Sequence, residues 1–218
     1  MKETASSACV LMFSGGRDST IAAARLSKSF GRLLLVTLSS GHLTGLENVR
    51  RRVAQLRTLL PRGSEWMQVA QPALPVVEPF AYRTCLPCQH AYIATGALIA
   101  KGEGIADLAM GYAGYQGAWP EQTPYATAGA ARVLRKEGIR LRLPVYDLRS
   151  KEEALAELAR LGMGPESLEQ KCLRQESNVD LDGAALKEET DRWLASIAAA
   201  IGAPDAVSPP VLRREKVV

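Results

Sequence analysis

The chain has 218 residues, of which 47% are hydrophobic, 23% charged and 6% aromatic, values that exclude a disordered, fibrous or disulfide-scaffold protein. Its 27 Lys and Arg against 23 Asp and Glu give a net charge of +4, which suits a phosphate-rich ligand but does not establish nucleic-acid binding. No stretch approaches the ~18 consecutive apolar residues of a membrane span, and the polar start lacks the apolar core of a secretory signal, so a cytoplasmic protein is expected.

Short apolar runs alternate with longer helical patterns along the chain. Residues 9–13 (CVLMF) predict a buried strand and 19–29 an Ala- and Leu-rich helix; 33–38 predict a second strand and 43–60 a helix closing at Pro61. A third strand is expected over 66–70, and the three prolines within 71–79 (Pro72, Pro75 and Pro79) force an extended connection. A helix over 91–100, a strand over 105–110, a helix over 126–137 and a short edge strand over 139–145 follow. Helices over 151–161 and 184–201 precede a polar, proline-bearing tail. The pattern predicts a doubly wound, mostly parallel α/β sheet of three layers, with one domain over 1–203 and a tail over 204–218.

One loop stands out between the first strand and the first helix: Ser14, Gly15, Gly16, Arg17, Asp18, Ser19 and Thr20. Two glycines let backbone approach an anion closely, and the helix N-terminus supplies free N–H groups and the positive end of its dipole. No Lys follows the glycines as a Walker A loop requires. The four cysteines divide into three and one. Cys9 lies in the first apolar run and reads as a small buried hydrophobe, whereas Cys85 and Cys88 form a C-x-x-C before a helix and Cys172 follows far downstream. Two thiols three positions apart can hold one metal, and a remote third closes the site if the fold brings it near. Unrelated thiols, or structural zinc with His90 or His42 as a fourth ligand, are the alternative readings of the residues.

The loop resembles the S-G-G-x-D-S/T loop of the PP-loop ATP pyrophosphatases, α/β enzymes that split ATP between its α and β phosphates and adenylate a substrate oxygen. The resemblance implies ATP and Mg2+ as cofactors. It implies that Ser14, Gly15, Gly16, Ser19 and Thr20 cradle pyrophosphate and that Asp18 helps place magnesium. It further implies that the end of the second strand, including Thr37 and Ser39, lies near adenine and ribose, and that Gly111 admits the nucleotide. Loop and cysteines together are similar to the PP-loop enzymes that thiolate nucleobases of transfer RNA, in which three cysteines hold a [4Fe–4S] cluster with one open iron. On that resemblance Cys85, Cys88 and Cys172 are catalytic and metal-binding, zinc being the alternative. The implied partners are a nucleobase substrate, in tRNA or as a small molecule, a sulfur donor and a second copy in a homodimer. Residues 143–153 (LPVYDLRSKEE) and a later Cys resemble the 7-cyano-7-deazaguanine synthases, but three of the four clustered zinc cysteines of those enzymes are missing. A nucleotide-binding protein without turnover is the reading from another class.

Residues 130–151 carry seven basic and two acidic side chains, a local excess that faces either phosphates or solvent. Arg50, Arg51 and Arg52 are similarly open to both readings. Tyr112, Tyr115, Trp119 and Tyr125 are expected around the site, as a pocket for a planar ring or as packing for the loop.

Overall fold

The structure is a computed structural model in which residues 7–174, 181, 183–203 and 209–218 are described. Strands β1 (Ala8–Met12), β2 (Arg32–Ser39), β4 (Glu65–Ala70), β5 (Asp107–Ala109), β6 (Arg140–Arg142) and β8 (Val211–Lys216) form one sheet in the order β6-β5-β1-β2-β4-β8. All neighbours are parallel except β4 and β8. A separate two-stranded ladder joins β3 (Leu43–Thr44) to β7 (Lys171–Cys172).

Period-two alternation splits the core. Val10 and Met12 of β1 and Leu34, Val36 and Leu38 of β2 pack on α3 (Leu86–Gly102), α4 (Pro124–Lys136) and α6 (Gly183–Gly202). The alternate residues Cys9, Leu11, Leu33 and Leu35 pack on α1 (Arg17–Leu26), α2 (Leu46–Gln55) and α5 (Lys151–Arg160). Both faces are covered, which gives the predicted three layers. Among the described residues no helix is long and apolar enough to cross a membrane.

Several elements differ from expectation. The stretch 43–60 is not one helix, because Gly45 takes φ +87° and separates β3 from α2. Helix α3 begins at Leu86, not Ala91: Pro87 sits in the first turn, where its missing N–H costs nothing, so Cys85 caps the helix and Cys88 lies within it. Val211–Lys216, inside the stretch read as a tail, is a strand that pairs with β4, and Val217 behind it is buried.

The chain runs outward through β1, β2 and β4, then returns through α3 to lay β5 on the opposite side of β1. The connections after β1 and β5 therefore diverge. That divergence is the switch point at which α/β sheets leave a crevice beyond the carboxyl ends of their strands.

Candidate active site

The crevice holds a cleft of about 610 Å³ lined by Ser14, Gly16, Asp18, Ser19 and Gly111 among others. Its floor is the turn from β1 into α1. Gly15 takes φ +80°, and a Cβ there would stand 2.6 Å from the Leu168 carbonyl oxygen, so no other residue fits. Gly16 is the N-cap of α1 and offers no side chain to satisfy the first-turn N–H groups. Hydroxyls brace the turn: Ser14 Oγ accepts from Gly16 N at 3.2 Å and lies 3.2 Å from Ser19 Oγ, while Thr20 Oγ1 donates to Gly16 O at 2.7 Å. A Cβ on Gly111 would sit 3.0 Å from the Ser19 backbone, so this glycine lets the end of β5 close onto the α1 N-terminus. The result is a turn at the positive end of a helix whose first-turn N–H groups receive no side-chain cap, a geometry that can accept an anion.

Asp18 faces the cleft in a triangle with Tyr115 and Arg17. Tyr115 Oη donates to the Asp18 carboxylate at 2.7 Å, and Arg17 Nη2 donates to the same Oη at 2.6 Å. Burial and then the Asp18 carboxylate push the Tyr115 phenol up, so it remains a proton donor throughout the physiological range. Thr37 is fully buried, and its hydroxyl is spent beneath the loop, donating to Phe13 O at 2.7 Å and accepting from Trp66 Nε1 at 2.9 Å. Ser39, at the end of β2, accepts from Gln68 Nε2 at 2.8 Å. Neither Thr37 nor Ser39, nor Gly15 or Thr20, is among the lining residues.

The segment 166–172 crosses over this loop. Leu168 O meets Gly15, and Glu169 carries its carboxylate to Gly16, where a Cβ would lie 2.7 Å from Oε2. Arg52, fully buried, anchors the crossing by donating to Glu166 O at 2.7 Å. This third arginine of the 50–52 run therefore holds a loop, whereas Arg50 pairs with Glu47 at the surface.

The same segment brings Cys172 to the C-x-x-C. In the β3–β7 ladder Cys172 lies opposite Leu43, and Leu173 N donates to His42 O at 2.9 Å. Cys88 Sγ is 3.7 Å from His42 Nε2. Burial pushes the Cys85 thiol up to about 11, with Glu121, Cys88 and Cys172 adding to the effect; Cys88 is raised by burial and by Cys172. Among the described residues no three Cys, His, Asp or Glu side chains form a closed metal-binding group. His90 is spent elsewhere: it is 4% exposed and its Nε2 meets Ser196 O of α6 at 3.2 Å. Cys9 is fully buried, and burial pushes its thiol up to about 12.

Other residues of the site were not singled out by the sequence. Gln89 and Tyr92 line the cleft from the helix face that carries Cys85 and Cys88, a placement readable from i, i+3 and i, i+4 spacing once the helix start is known. Lys151 lines it as the cleft's contribution from the basic segment; Arg140 and Arg142 instead pair with buried Asp107 at the sheet edge. Glu121, 2% exposed, is pushed up to about 7 by burial, and its Oε2 has no hydrogen-bond partner among the described residues. Tyr112, Tyr115 and Trp119 line the cleft as expected. Tyr125 does not, since its hydroxyl donates to Asp191 on α6.

No family model matches the chain, and no curated protein matches it. Among solved structures it is similar to the U34-tRNA thiolase NcsA from Methanococcus maripaludis with its [4Fe–4S] cluster, at TM-score 0.56 and 15% identity over 90% of this chain and 70% of that one. It is also similar to an NMN synthetase from Francisella tularensis, at TM-score 0.51 and 12% identity over 88% of this chain and 85% of that one. What the chain shares with these structures is its fold, a mostly parallel α/β sheet flanked by helices. Within this fold the loop from Ser14 to Thr20 joins the first strand to the first helix, the place that its sequence implied.

Proposed function

We propose that the protein is an ATP-dependent adenylating enzyme that replaces a carbonyl oxygen of a nucleobase, in RNA or free, with sulfur. One observation carries this reading: the segment 166–172 lies across the loop at Gly15 and Gly16 and ends in Cys172, whose neighbour Leu173 bonds the backbone of His42, itself 3.7 Å from Cys88 Sγ, so that one segment runs from the glycine loop toward the thiols. ATP with Mg2+ would place its phosphates on the α1 N-terminus, with Asp18 turned toward the metal. The substrate oxygen attacks the α-phosphorus and pyrophosphate leaves along the cradle. Sulfide then adds to the activated carbon and AMP departs with the former carbonyl oxygen, leaving a thiocarbonyl.

Three cysteine thiols, those of Cys85, Cys88 and Cys172, are the donor set of a soft metal centre. These three residues would hold a [4Fe–4S] cluster, which supplies a thiophilic iron to carry sulfide from an external sulfur donor. Tyr92, Trp119 and Tyr112 offer apolar surface to a planar ring, and Lys151 a charge for phosphate. Incubating the purified protein with Mg2+, labelled ATP, sulfide and bulk tRNA tests the reading. AMP and pyrophosphate in equal amounts, dependent on the RNA, are expected. ATP that binds and is never cleaved makes the chain a nucleotide-binding protein instead.

A further inference from the structure

We propose that Glu169 is a specificity-determining residue of the phosphate site, a tethered carboxylate that turns bare anions away and leaves the α1 N-terminus to phosphate that arrives with a divalent cation. The inference rests on the reading of Ser14–Thr20 as a phosphate loop and goes beyond it. The N-cap of α1 is Gly16, which has no side chain with which to meet the first-turn N–H groups. The room that such a side chain would fill is taken from elsewhere in the chain. A Cβ on Gly16 would stand 2.7 Å from Glu169 Oε2, 3.4 Å from Glu169 Cβ and 3.1 Å from Ser14 Oγ. A negative charge is therefore held at the positive end of the helix, the place an anion favours most. The one hydrogen bond that this carboxylate accepts among the described residues comes from Ser167, Oγ to Oε1 at 2.9 Å. It stands before the first-turn N–H groups without consuming them.

Three fixtures hold the residue there. Arg52 donates to Glu166 O at 2.7 Å on one side, and Lys171 pairs with Thr44 in the β3–β7 ladder on the other. Between them Leu168 is 4% exposed, with its carbonyl seated against Gly15. Glu169 and Asp18 both line the cleft, so an entering phosphate meets two carboxylates. Arg17, which lines it too, is engaged with Tyr115 and Asp18 and offsets that charge only in part. Like charges a few ångströms apart in a partly screened site weaken binding by about tenfold. A cation carried on the phosphates offsets the repulsion, so the metal complex is accepted where the bare anion is not. This is specificity by a repulsive element.

The test titrates the full chain calorimetrically with inorganic pyrophosphate, once in EDTA and once with saturating Mg2+. Glu169→Gln keeps the size of the side chain and an acceptor for Ser167 and removes the charge. It should bind the bare anion about tenfold tighter than wild type, and the two proteins should agree within about twofold once Mg2+ is present. Glu47→Gln removes the same charge from the surface of α2, outside the cleft, and should leave both affinities as in wild type. Bare-anion affinity unchanged or weakened in Glu169→Gln would overturn the assignment. So would an equal gain with and without Mg2+, a gain shared by Glu47→Gln, or a loss of the Mg2+ complex in Glu169→Gln, which would make the residue a cation ligand. Pyrophosphate that binds none of these proteins in either buffer would overturn the phosphate-loop reading itself. Glu169 is exposed, so the variant is expected to fold, and circular dichroism checks this.

Discussion

Thr37→Val is the sharpest test of how the loop between β1 and α1 is held. The Thr37 hydroxyl donates to Phe13 O, the last backbone group before Ser14, and accepts from the indole of Trp66, and both partners are buried. Valine matches threonine in shape and removes only the hydroxyl. It therefore leaves an indole N–H and a carbonyl lone pair unsatisfied in the core, at a cost of about 2–4 kcal/mol. In a chain of this size that lowers Tm by about 5–15 °C. Thr37→Ser keeps both hydrogen bonds and loses one methyl, for about 1 kcal/mol. Urea denaturation followed by circular dichroism and tryptophan fluorescence measures the two variants side by side. A serine variant less stable than the valine variant, or a valine loss below 1 kcal/mol, would refute the reasoning. Nucleotide affinity of the folded valine variant is an independent readout: a side chain spent beneath the loop leaves it within about twofold, whereas direct contact with the nucleotide would not.

Three further outcomes follow from the geometry. The buried Glu121 carboxyl, pushed up to about 7 from an ordinary 4.5, binds its proton more tightly in the folded chain than in the unfolded one. Stability therefore falls as pH rises from about 4.5 to 7, by an amount on the order of 3 kcal/mol, and Glu121→Gln should remove that slope and exceed wild type at pH 8 in thermal melts. Gly15→Ala should cost about 2–4 kcal/mol, combining left-handed backbone strain with a Cβ driven into the Leu168 carbonyl, and should abolish ATP binding measured by calorimetry. Alkylation at pH 8 followed by mass spectrometry should leave Cys9 unmodified in the folded chain and modified in guanidinium, because it is fully buried and its thiol is held near 12.

The parts of this protein that were legible in its sequence are those whose chemistry is contiguous. The cradle reads off as two glycines between an apolar run and an amphipathic helix, and the sheet reads off because both faces of β1 and β2 are apolar. Thr37 shows what a strand pattern leaves open: β2 alternates its side chains, and only the structure shows that this one turns inward, to Trp66 and Phe13. Cys88 and its helix were separated by Pro87, which looks like a breaker but occupies the one helical turn that tolerates it. Glu169 carries no local signal, and the sequence names Arg52 and His42 without showing what they touch. Their roles come from a segment that crosses from one end of the chain to the other, and only tertiary pairing of β3 with β7 shows it.

The contact between Gly15 and Leu168 has a consequence for the order in which the molecule is built. The loop that reads as complete within seven residues near the start is finished by a carbonyl and a carboxylate from the last third of the chain. Closing so large a ring of polypeptide costs entropy that only the packed sheet and α5 can offset, so the cradle acquires its shape late in folding. Nucleotide binding during refolding should accordingly lag behind the recovery of helix and sheet, which makes ATP itself a timer for the final docking step.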